Sequence, residues 1–365
     1  MNIEAIDTFI ERDEKKEASL QKKETPIETT SRHFREFNNN VPNFLVDGKN
    51  EEEASLPELK FDKVRDAETG QEYRIFIINE ESIKEGKIPN VLTLQYNIGV
   101  DHKPVQYLAQ VMGQEGDPII CVESPSVGES SDMTKDQKKF LKEGEKPFEK
   151  ISESLLRALY GKIYNPRNKD REINFVGYSQ GAITALSNAE VADKYGFKVR
   201  KVFLLDIPGI KDFGKGEIGS ILGITGAFSS EASSLGFYEK DPNDERQREV
   251  SGVDKKNNPL VTNARLLRDV VIKPMTRRGM QTGYPAAMGR KVVPAILESA
   301  LSKQPDMKVT FVSGSKSKIT PTEDTKELLK EFNTDRIRRI VLPGDTHSVG
   351  ERARRLGALF KFTNK

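Results

Sequence analysis

Short apolar runs alternate with amphipathic stretches over much of the chain. Nearly continuous apolar runs of five to eight residues are typical of strands buried on both faces of a parallel sheet. An earlier pair, 59–65 and 72–78, is separated by turn residues and predicts two paired strands. The predicted buried strands are 90–96, 118–123, 173–177, 199–206, 308–314 and 338–342.

Apolar residues recur at helical spacing between these runs. The clearest case carries Phe148, Ile151, Leu155, Leu159 and Ile163, which would form one face of a long helix. The other predicted helices are 103–112, from 180 to a glycine cap at 196, 322–332, and a last helix ending near 360. Alternating strands and helices predict an α/β fold, with a mostly parallel central sheet and helices on both faces.

The alternation is absent from two regions. Residues 1–55 are rich in Glu, Lys, Thr and Asn, which predicts a charged, partly disordered extension. Residues 208–303 carry Gly-rich, Ser-rich and amphipathic pieces, which predict a largely helical insertion. The α/β core is therefore expected in two segments, 56–207 and 304–365. Within the insertion, the small apolar stretch 218–228 is either the insertion's own core or a wall of a ligand site.

Composition narrows the possible partners. The 365 residues carry a formal net charge of only +2, which gives no electrostatic reason to expect nucleic acid binding. There is one cysteine, Cys121, in an apolar run, so we expect a buried small side chain and no intrachain disulfide. No run is long enough to span a bilayer, and the first residues do not resemble a signal peptide. We therefore predict a cytoplasmic protein without stable membrane insertion, whose oligomeric state the sequence leaves open.

The stretch from Gly177 to Gly181 fits the pattern G-x-S-x-G, with Ser179 at its centre. It follows a predicted strand and precedes a predicted helix, which is the context in which this pattern forms a nucleophile elbow. The sharp turn requires small residues two positions before and two positions after the serine, here Gly177 and Gly181. It presents the hydroxyl above a helix N-terminus, where backbone N–H groups can stabilise an oxyanion.

Together with three further motifs, this stretch resembles the α/β-hydrolase fold superfamily. Glu123 to Ser130 is similar to the family's D-x-P-G-x-G-x-S loop, with Glu for Asp and Ser for the first Gly. Gly314 to Pro321 is similar to its G-x-x-D-x-x-x-P loop, and Gly344 to His347 to its histidine loop. The resemblance implies a serine esterase or lipase-like enzyme in which the insertion 208–303 is the cap or lid.

The resemblance implies a catalytic triad in which Ser179 is the nucleophile and His347 is the base. The acid is ambiguous, because Ser317 stands where the family has its aspartate. Asp206, at the end of the preceding core strand, is one candidate, and Glu323 and Asp324 are the alternatives.

For the oxyanion hole, the expected donors are backbone N–H groups. One belongs to Gln180, and the other belongs to Tyr96 or Asn97 in the loop after the third strand. Such a site needs no cofactor and no metal. A formal G-x-G-x-x-G at 214–219 follows no predicted strand, so we do not expect a dinucleotide there.

We therefore predict a serine hydrolase that cleaves a small-molecule acyl ester, or a lactone or thioester, through an acyl-enzyme on Ser179. The alternative is a catalytically weak or inactive hydrolase fold that serves as a binding module. The serine at position 317 and the absence of glycine after the third strand motivate that alternative.

Overall fold

The computed structural model describes residues 56–94, 103–126, 128–213, 284–315, 317–332, 334–342, 356–357 and 359–360. Their strands are β1 Lys60–Arg65, β2 Glu72–Ile78, β3 Asn90–Leu94, β4 Ile119–Glu123, β5 Glu172–Tyr178, β6 Lys198–Leu205, β7 Lys308–Gly314 and β8 Ile337–Leu342. Their helices are α1 Glu80–Lys84, α2 Lys103–Met112, α3 Lys135–Glu143, α4 Glu149–Ile163, α5 Gln180–Val191, α6 Tyr284–Met288, α7 Val293–Lys303 and α8 Thr322–Phe332. The predicted extension 1–55, and 214–283 of the predicted insertion, lie outside the described residues.

The strands form one sheet in the order β1-β2-β4-β3-β5-β6-β7-β8. β2 pairs antiparallel with β1 and β4, and every pairing among β3 to β8 is parallel. This confirms the predicted fold class. The order of the strands changes direction at β3, because β4 lies on one side of it and β5 on the other. Open α/β sheets bind ligands at the carboxyl ends of the strands beside such a point.

Strand side chains alternate between two apolar cores. In β4, Ile120 and Val122 belong to the core that also contains the buried residues of α4, α5 and α7. Ile119 and Cys121 belong to the opposite core, where α2 and the segment near residue 360 pack. Cys121 is fully buried, as predicted, and burial raises the pKa of its thiol.

Helix α5, which follows β5, is buried against the sheet. All residues of α5 are buried, and small side chains such as Ala182, Ala185 and Ala189 let it lie close to the sheet beneath α4 and α7. A short 3-10 turn follows, and Gly196 ends it at φ 72, so the predicted glycine cap is confirmed. Within the described residues, no helix combines the length and the apolar character needed to cross a membrane.

Candidate active site

Ser179 stands between β5 and α5 with φ 55 and ψ −127. A positive φ is unusual for a residue with a side chain, so this backbone is strained, as a nucleophile elbow requires. Two hydrogen bonds hold the turn: the Ser179 N–H donates to the Leu205 carbonyl at 2.8 Å, and the Ala182 N–H donates to the Ser179 carbonyl at 2.9 Å. The first bond fastens the elbow to the end of the neighbouring strand, β6.

Gly177 shows why the elbow needs a glycine two residues before the serine. A Cβ atom at this position would lie 2.3 Å from the carbonyl oxygen of Gly181 and 2.5 Å from the Cα of Ala182. Real Cβ atoms do not approach so closely, so any side chain would push α5 away from β5. The pattern predicted from the sequence is therefore a requirement of helix–strand packing.

The N-terminus of α5 provides the electrostatic setting of Ser179. Gln180 is its first residue, so the Gln180 N–H is one of the N–H groups that have no acceptor within the helix. These groups and the helix dipole favour negative charge beside the serine. Gln180 as a whole residue is fully buried.

Asp206 ends the neighbouring strand in a similar conformation. It follows β6 with φ 45 and is completely buried. Its N–H donates to the Val312 carbonyl at 2.7 Å, so the backbone is fixed against β7. The carboxylate accepts hydrogen bonds from the Ser317 hydroxyl, at 2.7 Å to Oδ2, and from the Gly314 N–H, at 3.4 Å to Oδ1. Ser179 and Asp206 thus follow adjacent strands at the same edge of the sheet.

The role of Ser317 as a donor is a feature that sequence reasoning missed. The sequence identified Ser317 only as a departure from the family's aspartate. Its hydroxyl in fact reaches the carboxylate of Asp206, across a separation of 111 residues. One sequence signal could have indicated this contact: a serine stands at the expected acid position, and an aspartate follows the preceding core strand.

The loop after β4 forms another side of the site. Glu123 is fully buried, and its carboxylate accepts a hydrogen bond from the Glu129 N–H at 2.7 Å. The guanidinium of Arg74 lies 3.7 Å from the other carboxylate oxygen. Ser126, which replaces the family's first glycine, adopts φ 62, and its hydroxyl accepts from the Met133 N–H. The loop therefore retains a left-handed residue where the family has glycine.

Tyr284 connects this loop to the neighbourhood of the elbow. Its side chain is buried, stacks on Phe148 and donates from its hydroxyl to the Pro125 carbonyl at 3.3 Å. Burial raises the pKa of Tyr284 well above its usual value, and the nearby side chains of Gln180 and Ser124 act in the opposite direction. Sequence analysis did not include Tyr284 among the site residues.

The remaining predicted residues divide into two groups. His347, Tyr96 and Asn97 lie outside the described residues, so their roles stay predictions. The alternative acids are in the first turn of α8: Asp324 forms an ion pair with Lys211 at 3.0 Å, and the Glu323 side chain is 72% exposed. Ion pairing and solvent exposure distinguish both from the buried Asp206.

No family model and no curated protein matches this chain. Solved structures do match it. An esterase from Exiguobacterium antarcticum has a TM-score of 0.52 and 14% identity, covering 84% of this chain and 100% of that one. The chain has the α/β-hydrolase fold. A bromoperoxidase from Bacillus anthracis matches at 0.51 and 13%, with the same coverage. A serine hydrolase involved in carbazole degradation matches at 0.50 and 14%, covering 84% and 99%.

Proposed function

We propose that this α/β-hydrolase-fold chain is a serine hydrolase that cleaves a carboxylic ester through an acyl-enzyme on Ser179. The observation that carries the proposal is the strained serine at the N-terminus of α5, directly beside β6, the strand that Asp206 follows. An ordinary turn serine would not need a positive φ. A serine hydroxyl is a weak nucleophile, and an adjacent base oriented by a carboxylate is what activates it.

In the proposed first half-reaction, His347 accepts the proton of the Ser179 hydroxyl as its oxygen attacks the ester carbonyl. The resulting oxyanion is stabilised by the N–H of Gln180 and by a second N–H, from Tyr96 or Asn97. His347 then gives the proton to the leaving alkoxide, the C–O bond breaks, and an alcohol departs. The acyl group remains bonded to Ser179.

In the second half-reaction, water attacks the acyl carbonyl and His347 accepts its proton. The tetrahedral intermediate collapses, the bond to Ser179 breaks, and the serine oxygen recovers its proton from the histidine. The product is a carboxylic acid. The two steps restore the enzyme without a cofactor or metal.

Asp206 is the proposed acid. Its role would be to orient His347 and to stabilise the imidazolium that forms while the proton is held. Its burial and its position at the catalytic edge of the sheet support this choice over Glu323 and Asp324. The hydrogen bond from Ser317 supports the same choice, because it fixes the direction of the carboxylate.

The proposed substrate class is a small-molecule acyl ester, with lactones and thioesters as chemical relatives. One matched structure is named an esterase and another a serine hydrolase, and those names apply to these two proteins. They support the proposal because the same elbow chemistry serves all of these carbonyl substrates.

The proposal is tested with a fluorophosphonate probe and a p-nitrophenyl acetate assay. The purified chain should gain one phosphonyl group on Ser179 and release p-nitrophenolate. Ser179→Ala should lose labelling and at least a thousandfold in kcat, because removal of the nucleophile leaves only binding and oxyanion stabilisation.

Ser187→Ala is the matched control. Ser187 is a buried serine on the same helix, α5, and its loss should leave labelling unchanged. Labelling that persists in Ser179→Ala would refute the nucleophile. A folded wild-type chain that reacts with neither reagent would instead favour a binding module.

A further inference from the structure

The hydrogen bond between Ser317 and Asp206 has a defined direction. Ser317 is buried, with 6% exposure, and its oxygen lies 2.7 Å from Oδ2 of Asp206. The same oxygen accepts the Thr320 N–H at 3.1 Å. A serine hydroxyl has one hydrogen to donate, and the carboxylate is the acceptor beside it. Because the Ser317 oxygen acts as the acceptor toward the Thr320 N–H, its hydrogen is directed at Asp206.

Further hydrogen bonds connect the loop after β7 to the segment that follows β6. The Thr320 hydroxyl donates to the Ile207 carbonyl at 2.8 Å, and the Ser317 N–H donates to the Gly314 carbonyl at 3.1 Å. The loop after β7 is thus fastened to the residue that follows Asp206. Ser317 cannot move away from the carboxylate without breaking these contacts.

We propose that Ser317 is a positioning residue: it holds the Asp206 carboxylate in the orientation that serves the base. This inference rests on the proposed hydrolase function. A hydroxyl donor to a carboxylate is stronger than a neutral hydrogen bond and fixes its rotation. Positioning of this kind affects the transition state, so its loss should lower kcat and leave KM nearly unchanged.

The test compares two variants of Ser317 and one control variant of Ser313 in the ester assay. Ser317→Ala should lower kcat about tenfold with KM within twofold, because a charge-assisted hydrogen bond is lost. Ser317→Thr keeps the hydroxyl and should recover most of the rate. Ser313→Ala, on β7, is the control and should match the wild type. A Ser317→Ala variant with wild-type kcat would overturn the positioning role.

The failure of this inference and the failure of the proposed function are distinguishable. An active wild type whose Ser317→Ala variant keeps the wild-type kcat contradicts this inference alone. A wild type that hydrolyses no ester and takes no fluorophosphonate contradicts the proposed function itself.

Discussion

Two buried carboxylates, Glu123 at the end of β4 and Asp206 directly after β6, make different contacts. Glu123 accepts the Glu129 N–H, and a guanidinium, that of Arg74, lies 3.7 Å away. The described partners of Asp206 are a hydroxyl and an N–H, both of them neutral. Both side chains have no exposed surface.

The difference separates a structural carboxylate from one suited to chemistry. A carboxylate beside a cation has its charge largely compensated, and its removal disturbs the loop that it holds. A carboxylate that a hydroxyl and an N–H fix in direction is suited to orienting a base. Burial alone would not distinguish them, since both are buried. We therefore propose that Glu123 holds the loop and that Asp206 is the acid of the proposed triad.

The largest expected effect comes from exchanging each carboxylate for its amide. Asp206→Asn should lower kcat about 10⁴-fold in the ester assay with little change in thermal unfolding, because an amide cannot stabilise the imidazolium. Glu123→Gln should keep kcat within about threefold and lower the unfolding temperature. If Glu123→Gln lost activity as Asp206→Asn does, without a change in stability, the separation of roles would be wrong.

A second buried structural carboxylate, Asp66, extends the comparison. Arg157 donates to both of its oxygens, at 2.9 and 2.8 Å, and Thr69 donates at 2.6 Å. Burial raises the pKa of Asp66, but these hydrogen bonds outweigh it and hold the pKa well below its usual range. Asp66→Asn should cost about 3 kcal/mol of unfolding free energy at pH 7 in a urea titration.

The pH dependence of that loss has a definite sign. Since the folded pKa lies below the unfolded value of about 3.9, the stabilisation is complete above that value. It disappears as the pH falls through the folded pKa. The difference between wild type and Asp66→Asn should therefore shrink as the pH is lowered from about 5 to 2. A difference that grew on acidification would contradict the compensated-carboxylate interpretation.

The loop held by Glu123 can also be disturbed by a substitution that leaves the carboxylate itself in place. Gly128 has φ 57, and a Cβ atom there would lie 2.2 Å from Oε2 of Glu123. Gly128→Ala should cost about 2 kcal/mol of unfolding free energy, from strain and displacement of the carboxylate. Gly161→Ala on α4 is the control, because a Cβ there meets nothing within 4 Å and should be neutral or slightly stabilising. Equal costs for the two variants would contradict the loop's close packing.

The smallest effect concerns the contact between this loop and the elbow. Tyr284→Phe removes the hydroxyl that reaches the Pro125 carbonyl, and kcat should fall about threefold as the surroundings of Gln180 loosen. Tyr73→Phe removes another buried hydroxyl, one that donates to Ser154 on α4 and not to the loop after β4, and should leave kcat unchanged. Equal kcat for both variants would show that the loop acts independently of the elbow.

Much of the fold could be predicted from apolar periodicity. The buried strands and the long helix α4 have unambiguous patterns, because each buries a continuous apolar face. Helix α3 was missed although Thr134 and Gln137 form a capping box, since its apolar residues are few. The strand order could not be derived from periodicity, because pairing is decided by tertiary packing.

The candidate site was predictable in parts. The elbow is local, so Gly177 and Ser179 could be identified from spacing. The acid was ambiguous, because its surroundings come from residues about a hundred positions away: Asp206 meets Ser317 only in the folded sheet. From the sequence alone, the serine at position 317 was a reason to question activity. In the structure, the Ser317 hydroxyl donates a hydrogen bond to Asp206, the candidate acid after β6.

The most direct measurement is stopped-flow turnover of p-nitrophenyl acetate, with mass spectrometry of the quenched chain, for wild type and Asp206→Asn. The wild type should release one p-nitrophenolate per chain in a burst and carry the acetyl group on Ser179, and Asp206→Asn should acylate about 10⁴-fold more slowly. Acylation at another residue, or an equal rate of Ser179 acylation in Asp206→Asn, would contradict the proposed pairing of Ser179 with Asp206.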